Sequence, residues 1–175
     1  MTRHNREKQF TNTAEPKMQP TPTPPTPATM KVLFVDDETD FLAVMIRRMR
    51  KRDIDAAGAP DGETALASLA AAGFDVVVLD LKMPGHRNGI DILKEIKARF
   101  PLVEVIMLTG HAMLDTARTG MESGALDFIV KPADFDELFY KISDAARKKR
   151  LQESKIRGLD HIIKDTTSPH KGGHQ

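Results

Sequence analysis

The chain contains no cysteine and no tryptophan, and only one tyrosine among its 175 residues. The missing thiols exclude a disulfide framework, thiolate metal sites and cysteine nucleophiles together. An excess of one charge is missing as well: 26 basic residues face 25 acidic ones, so the chain as a whole lacks the electrostatic footprint of a nucleic-acid binder. Its longest apolar runs are of strand length, far below the ~20 residues that span a bilayer, and the N-terminus has no apolar stretch of the secretory kind. A cytoplasmic location with no membrane contact is the expectation.

What is present changes texture twice. Residues 1–29 are polar and pass into a Pro/Thr alternation between Pro16 and Pro27, which cannot hold a helix and has little apolar surface to bury. A disordered or polyproline-like leader is expected. Residues 30–147 carry the apolar runs and leave room for one core of ordinary size. Residues 148–175 are basic and polar, and are expected to form a tail that extends the last helix.

Within the central part, short β-branched-rich runs predict buried parallel strands at Val32–Val35, Val76–Leu79, Val103–Leu108 and Leu126–Val130. A weaker alternating stretch at Asp53–Ala57 suits a sheet edge. Helical patterns lie between: Phe41–Arg50, with Leu42, Met45, Ile46 and Met49 on one face, then Gly62–Ala71, Gly89–Arg99, Ala112–Ser123 and Asp134 onward. Five βα repeats predict an α/β fold, a doubly wound five-stranded parallel sheet with helices on both faces. Right-handed crossovers then put any site at the carboxyl ends of the strands.

Those ends carry the chemistry. The first strong run ends in Asp36-Asp37-Glu38, the next in Asp80, the third in Thr109 and the fourth in Lys131-Pro132. Crowded carboxylates raise one another's pKa unless a hard cation neutralises them, and oxygen ligands with open water positions suit Mg²⁺. Asp36, Asp37 and Asp80 bring three negative charges, which Mg²⁺ and Lys131 balance. Asp80 is the expected nucleophile towards phosphorus, with Lys131 offsetting charge on the phosphoryl oxygens and Thr109 donating a hydrogen bond to one of them.

The motifs VDDE at Val35–Glu38, LDLKMPG at Leu79–Gly85, LTG at Leu108–Gly110 and GALDFIVKP at Gly124–Pro132 resemble those of the bacterial response-regulator receiver family, in the family's order and each at a predicted strand end. The resemblance covers about Met30 to Arg147. It implies the flavodoxin-like strand order 2-1-3-4-5, Asp80 as phosphoacceptor, and Mg²⁺ held by Asp36, Asp37, Asp80 and the backbone carbonyl of Lys82. It further implies Thr109 and Phe128 as the switch pair that reshapes the surface of the fourth helix, fifth strand and fifth helix, and a cis bond before Pro132. The implied partners are a sensor histidine kinase or histidine phosphotransfer protein and a downstream protein target. The implied chemistry is self-phosphorylation and self-dephosphorylation, without turnover of an outside substrate. Two features depart from the pattern. The loop from Asp80 to Gly89, through Gly85-His86-Arg87-Asn88, is one residue longer than usual. Lys82 and His111 stand where hydrolytic water approaches.

Blander readings stand beside these. Acidic residues after strands also cap helices, although Thr109 and Lys131 make that account incomplete. Phe128 fits a core position as well as a switch. His111, His170 and His174 read as solvated groups, and Arg147-Lys148-Lys149-Arg150 as the solvated end of the fifth helix. Ile156, Leu159 and Ile163 continue a three-four spacing begun by Leu138, Ile142 and Ala145, interrupted by Lys149 and Gln152 and weakened by Gly158. Homodimer formation through this helix, or through the fourth-helix, fifth-strand and fifth-helix face, is therefore an expectation to test.

Rival functions fit less well. The segment after Arg150 is too short and polar for a helix-turn-helix with its own core, so no DNA-binding module is expected. An aspartate-nucleophile phosphohydrolase needs Asp-x-Asp where this chain has Asp36-Asp37-Glu38, and a flavodoxin-like phosphate loop would be repelled by the same acids. Within the receiver reading, an allosteric effector, a phosphorelay intermediate and a non-phosphorylated scaffold remain open.

Overall fold

A computed structural model describes residues 30–83, 88–110 and 113–167. The leader, the loop residues 84–87, and His111, His170 and His174 lie outside the described residues. Five strands, β1 (Lys31–Val35), β2 (Asp55–Ala59), β3 (Val76–Asp80), β4 (Glu104–Thr109) and β5 (Asp127–Val130), alternate with α1 (Thr39–Arg50), α2 (Gly62–Ala71), α3 (Gly89–Arg99), α4 (Leu114–Glu122) and α5 (Phe135–Thr167). All pairings are parallel and the order is β2-β1-β3-β4-β5, as expected from the sequence.

Alternation along the strands builds two cores. Leu33, Val35, Val77, Leu79, Val105 and Met107 pack under α2, α3 and α4. Val32, Phe34, Val76, Val78, Ile106 and Leu108 pack under α1 and α5, meeting Leu42, Met45, Met49, Leu138 and Ile142. β3 and β4 are buried throughout, which is why they read as unbroken apolar runs. Asp61 and Asn88 cap α2 and α3, their side-chain oxygens accepting from the N–H of Thr64 at 2.7 Å and of Asp91 at 3.0 Å.

Two expectations are corrected. The edge strand lies two residues later than Asp53–Ala57, because Asp53 closes the turn after α1 with φ of 58° and pairing with β1 begins at Asp55, opposite Lys31. The basic run after α5's first turns is not wholly solvated: Lys149 is buried and donates to the Phe74 carbonyl at 2.8 Å and to Asp75 Oδ1 at 3.0 Å. Asp75 Oδ2 in turn accepts from the Lys31 N–H at 2.9 Å. Beside this anchor, Lys148 and Lys97 approach the buried Glu104 at 3.6 and 3.8 Å.

The helix thus continues past the body of the sheet because its interrupting lysine has a fitted place at the sheet's amino edge. Lys149→Ala is expected to cost about 1–3 kcal/mol, the range for removing a partner from a largely buried, charge-assisted hydrogen bond. Amide exchange after Arg150 should accelerate with it. Chemical denaturation and hydrogen exchange measure the two effects, and unchanged exchange beyond Arg150 would mean that the anchor does not hold the extension.

Candidate functional site

Strand register assembles the site. Val35 pairs with Leu79, so the next residues on each chain, Asp36 and Asp80, emerge side by side at the carboxyl edge. Asp80 pairs with Leu108, and Thr109 with Val130, bringing Thr109 and Lys131 to the same rim. The Lys131 N–H donates to the Thr109 carbonyl at 2.7 Å, and the Lys131-Pro132 peptide bond is cis. The lysine side chain crosses back over the sheet.

Its ammonium donates to Asp36 Oδ2 at 2.8 Å and to Asp80 Oδ2 at 3.3 Å, and lies 3.5 Å from Glu38 Oε1. The other oxygens of the two aspartates are occupied from the backbone: Asp36 Oδ1 accepts from the Glu38 N–H at 2.9 Å and Asp80 Oδ1 from the Lys82 N–H at 3.1 Å. Asp36 and Asp80 are buried, at 0% and 4% exposure, whereas Asp37 is exposed. Ligand oxygens of Asp36, Asp37 and Asp80 all fall within 4.8 Å of one another. That donor set is wholly carboxylate and partly open to water, the chemistry a hard divalent cation requires.

Electrostatics follow from this packing. Burial pushes the Asp80 carboxyl above its ordinary value, with Asp36 adding to the rise, and the Lys82 N–H and Lys131 ammonium only partly offset it. Burial works against the Lys131 ammonium, but the hydrogen bond to Asp36 and the charges of Asp80 and Asp36 outweigh it and hold Lys131 above its ordinary value. The lysine is a fixed cation at the rim.

The expected switch residues take no side-chain part in this ion-pair cluster. Thr109 is fully buried; its hydroxyl donates to the carbonyls of Gly110 at 3.2 Å and Met113 at 3.4 Å. Among the described residues the hydroxyl makes no hydrogen bond to Asp80 or to the Lys131 ammonium. Phe128 is half-buried and packs against the core under α2, α3 and α4. Lys82 is exposed and meets the site through its backbone.

Two contributors, Phe41 and Gly89, were not read from the sequence as part of the site, and a third, Glu38, was read only as a member of the acidic strand end. Phe41 lies under the Lys131 ammonium, 5.0 Å from ring centroid to nitrogen, although its only sequence signal was an apolar residue opening α1. Glu38 adds a third carboxylate around Lys131. Gly89 opens α3 against the backbone of Asp80 and Leu81: a Cβ there would stand 2.7 Å from Leu81 Cα and 2.9 Å from the Asp80 carbonyl oxygen. The signal was Asn88-Gly89, a cap followed by a residue without a side chain.

The sheet order is that of a receiver domain, with an acidic cluster and a bridging lysine at its carboxyl edge, and residues 32–143 match the family model of the response regulator receiver domain. The chain belongs to that family. It is 36% identical over 125 residues to the transcriptional regulatory protein ZraR of Klebsiella oxytoca, covering 71% of this chain and 28% of that protein. It is 34% identical over 140 residues to the nitrogen assimilation regulatory protein NtrX of Azorhizobium caulinodans, covering 79% and 30%. Among solved structures, a response regulator receiver domain protein from Clostridium thermocellum aligns with a TM-score of 0.67 and 34% identity, over 70% of this chain and 98% of that one. The chain spans less than a third of the length of these two curated relatives.

Proposed function

We propose that this protein is a phosphorylation-dependent signalling switch of a two-component system, in which Asp80 takes a phosphoryl group from a phosphohistidine on a sensor kinase or phosphotransfer protein. The observation that carries the reading is the Lys131 ammonium bridging Asp36 and Asp80 at 2.8 and 3.3 Å, beside three carboxylates clustered within 4.8 Å. An Asp80 oxygen attacks phosphorus; the O–P bond forms as the P–N bond of the donor breaks, and the imidazole leaves with the bonding electron pair. Lys131 stays in place as an ammonium and meets the incoming oxygens.

Asp36, Asp37 and Asp80, with the Lys82 carbonyl, would hold Mg²⁺, which when bound offsets negative charge on the phosphoryl oxygens. Thr109 and Phe128 are the proposed switch pair: the hydroxyl leaves its carbonyl partners for a phosphoryl oxygen, and the half-buried ring follows it inward, altering the face of α4, β5 and α5 for a protein target. No outside substrate is turned over. The proposed location is the cytoplasm; no described helix is long and apolar enough to cross a membrane.

Intact-mass measurement after incubation with acetyl phosphate tests the reading. A single phosphoryl adduct is expected with Mg²⁺, with none after chelation and none in Asp80→Ala. Failure of the native chain to react beside a reactive receiver would move the reading to a scaffold.

A further inference from the structure

The inner stripe of α5 steps by four and three residues without a break: Leu138, Ile142, Ala145, Lys149, Gln152, Ile156, Leu159. This is the heptad spacing of a coiled-coil seam. Its first half is covered by the domain itself, with Leu138, Ile142 and Ala145 fully buried and Lys149 fitted to the sheet edge. Past that anchor the same stripe leaves the domain: Ile156 is 44% exposed and Leu159 60%. The next core position of the repeat, 163, is again an isoleucine in the sequence. Gly158 has nothing within 4 Å of its would-be Cβ and falls on the outward side of the repeat, where it does not interrupt the seam.

Charge names what covers this face. Lys155 and Asp160 flank the seam at the g and e positions that meet between the two strands of a parallel coiled coil. Five residues apart, they do not face each other on one helix, and among the described residues neither has a hydrogen-bond or ion-pair partner. An antiparallel pairing would instead bring flanking positions of one kind together, so that acidic Glu153 and Asp160 would face their own kind. The extension is also already helical, templated by the packed half of α5, so association need not supply the cost of helix nucleation.

We infer that the extension of α5 pairs in parallel with the same segment of a second copy of this chain, burying Ile156 and Leu159 and pairing Lys155 with Asp160 of the other copy. Two domains would then stand side by side on a short two-stranded stalk. The seam from Gln152 to position 163 is only about 17 Å long, so the pair should be reversible at micromolar concentrations rather than permanent.

The lack of native cysteine gives a clean test on the full chain. Leu159→Cys, at a seam position opposite its own copy in a parallel pair, should oxidise to a disulfide-linked dimer. Arg157→Cys, on the outward side, should remain largely unlinked. In sedimentation equilibrium, Leu159→Asp should raise the dimer dissociation constant at least about tenfold. Lys155→Glu should weaken the pair several-fold, and Lys155→Glu combined with Asp160→Lys should restore it. These surface charge variants keep the test valid if Leu159→Asp perturbs folding. A native chain that sediments as a monomer at its highest attainable concentration, or equal cross-linking at 157 and 159, would overturn the inference; absence of charge-swap rescue would overturn the parallel register.

Discussion

Replacing Lys131 with alanine is expected to slow Mg²⁺-dependent phosphorylation of Asp80 by about 10²- to 10³-fold, the usual cost of removing one preorganised group that meets developing charge. The same change should destabilise the metal-free chain. Lys131 holds Asp36 at 2.8 Å and Asp80 at 3.3 Å; without it two buried carboxylates face each other uncompensated, a loss of roughly 3–5 kcal/mol. The sign of the pH dependence follows from Asp80, whose folded pKa is already raised by burial. A raised carboxyl favours folding while protonated, so that contribution is complete below the unfolded value of about 4 and is lost as pH rises through the folded value. The variant should therefore lose stability, relative to the native chain, as pH is raised from acid to neutral, and recover it on addition of Mg²⁺. Thermal melts across pH, with Mg²⁺ and with chelator, measure this. A variant as stable as the native chain in chelator at neutral pH would show that the two aspartates do not depend on the lysine.

Gly89→Ala is expected to be the most damaging single methyl group that can be added beside the site. Its Cβ would meet Leu81 Cα at 2.7 Å and the Asp80 carbonyl at 2.9 Å, and both are backbone atoms with no rotamer to yield. Either α3 retreats or the end of β3 bends. Overpacking of this kind costs about 1–3 kcal/mol, and here it falls on the strand end that presents Asp80. Phosphorylation and stability should drop together. Gly120→Ala makes the contrast: its Cβ would press on the Met107 side chain, at 2.1 Å from Sδ, and a thioether can move aside. Denaturation midpoints and adduct rates for the two variants should separate clearly, and equal behaviour would mean that α3 has slack at its N-terminus.

The sheet was legible where burial on both faces left unbroken apolar runs, as at Val76–Leu79, and where each run ended in a polar group. β2 was legible as an edge strand but placed two residues early, because Asp-Ala-Ala-Gly-Ala has no β-branched residue; its bounds come from pairing with β1, which a local pattern does not contain. The acidic cluster and Lys131 were read from strand-end position alone, and register then brings them together. Phe41 beneath the ammonium was not, since it depends on the approach of two elements distant in sequence, and Gly89 against Leu81 was not, since it depends on how closely α3 returns to the end of β3. Lys149 was misread for a similar reason: on its own helix it interrupts an apolar stripe, and only the fold supplies Asp75 and the Phe74 carbonyl.

Four residues of β3, Val76 to Leu79, separate two attachments of opposite kind. Its carboxyl end is Asp80, and the residue before its amino end is Asp75, to which α5 is tied through Lys149. Beyond that tie α5 runs on to Thr167, a rod of roughly 27 Å at 1.5 Å per residue. A rod held near one end works as a lever: a tilt of about 10° at the Lys149–Asp75 fulcrum would sweep its far end through roughly 5 Å by that length. A displacement too small to alter the core would thus become, at the tip, a movement as large as a turn of helix.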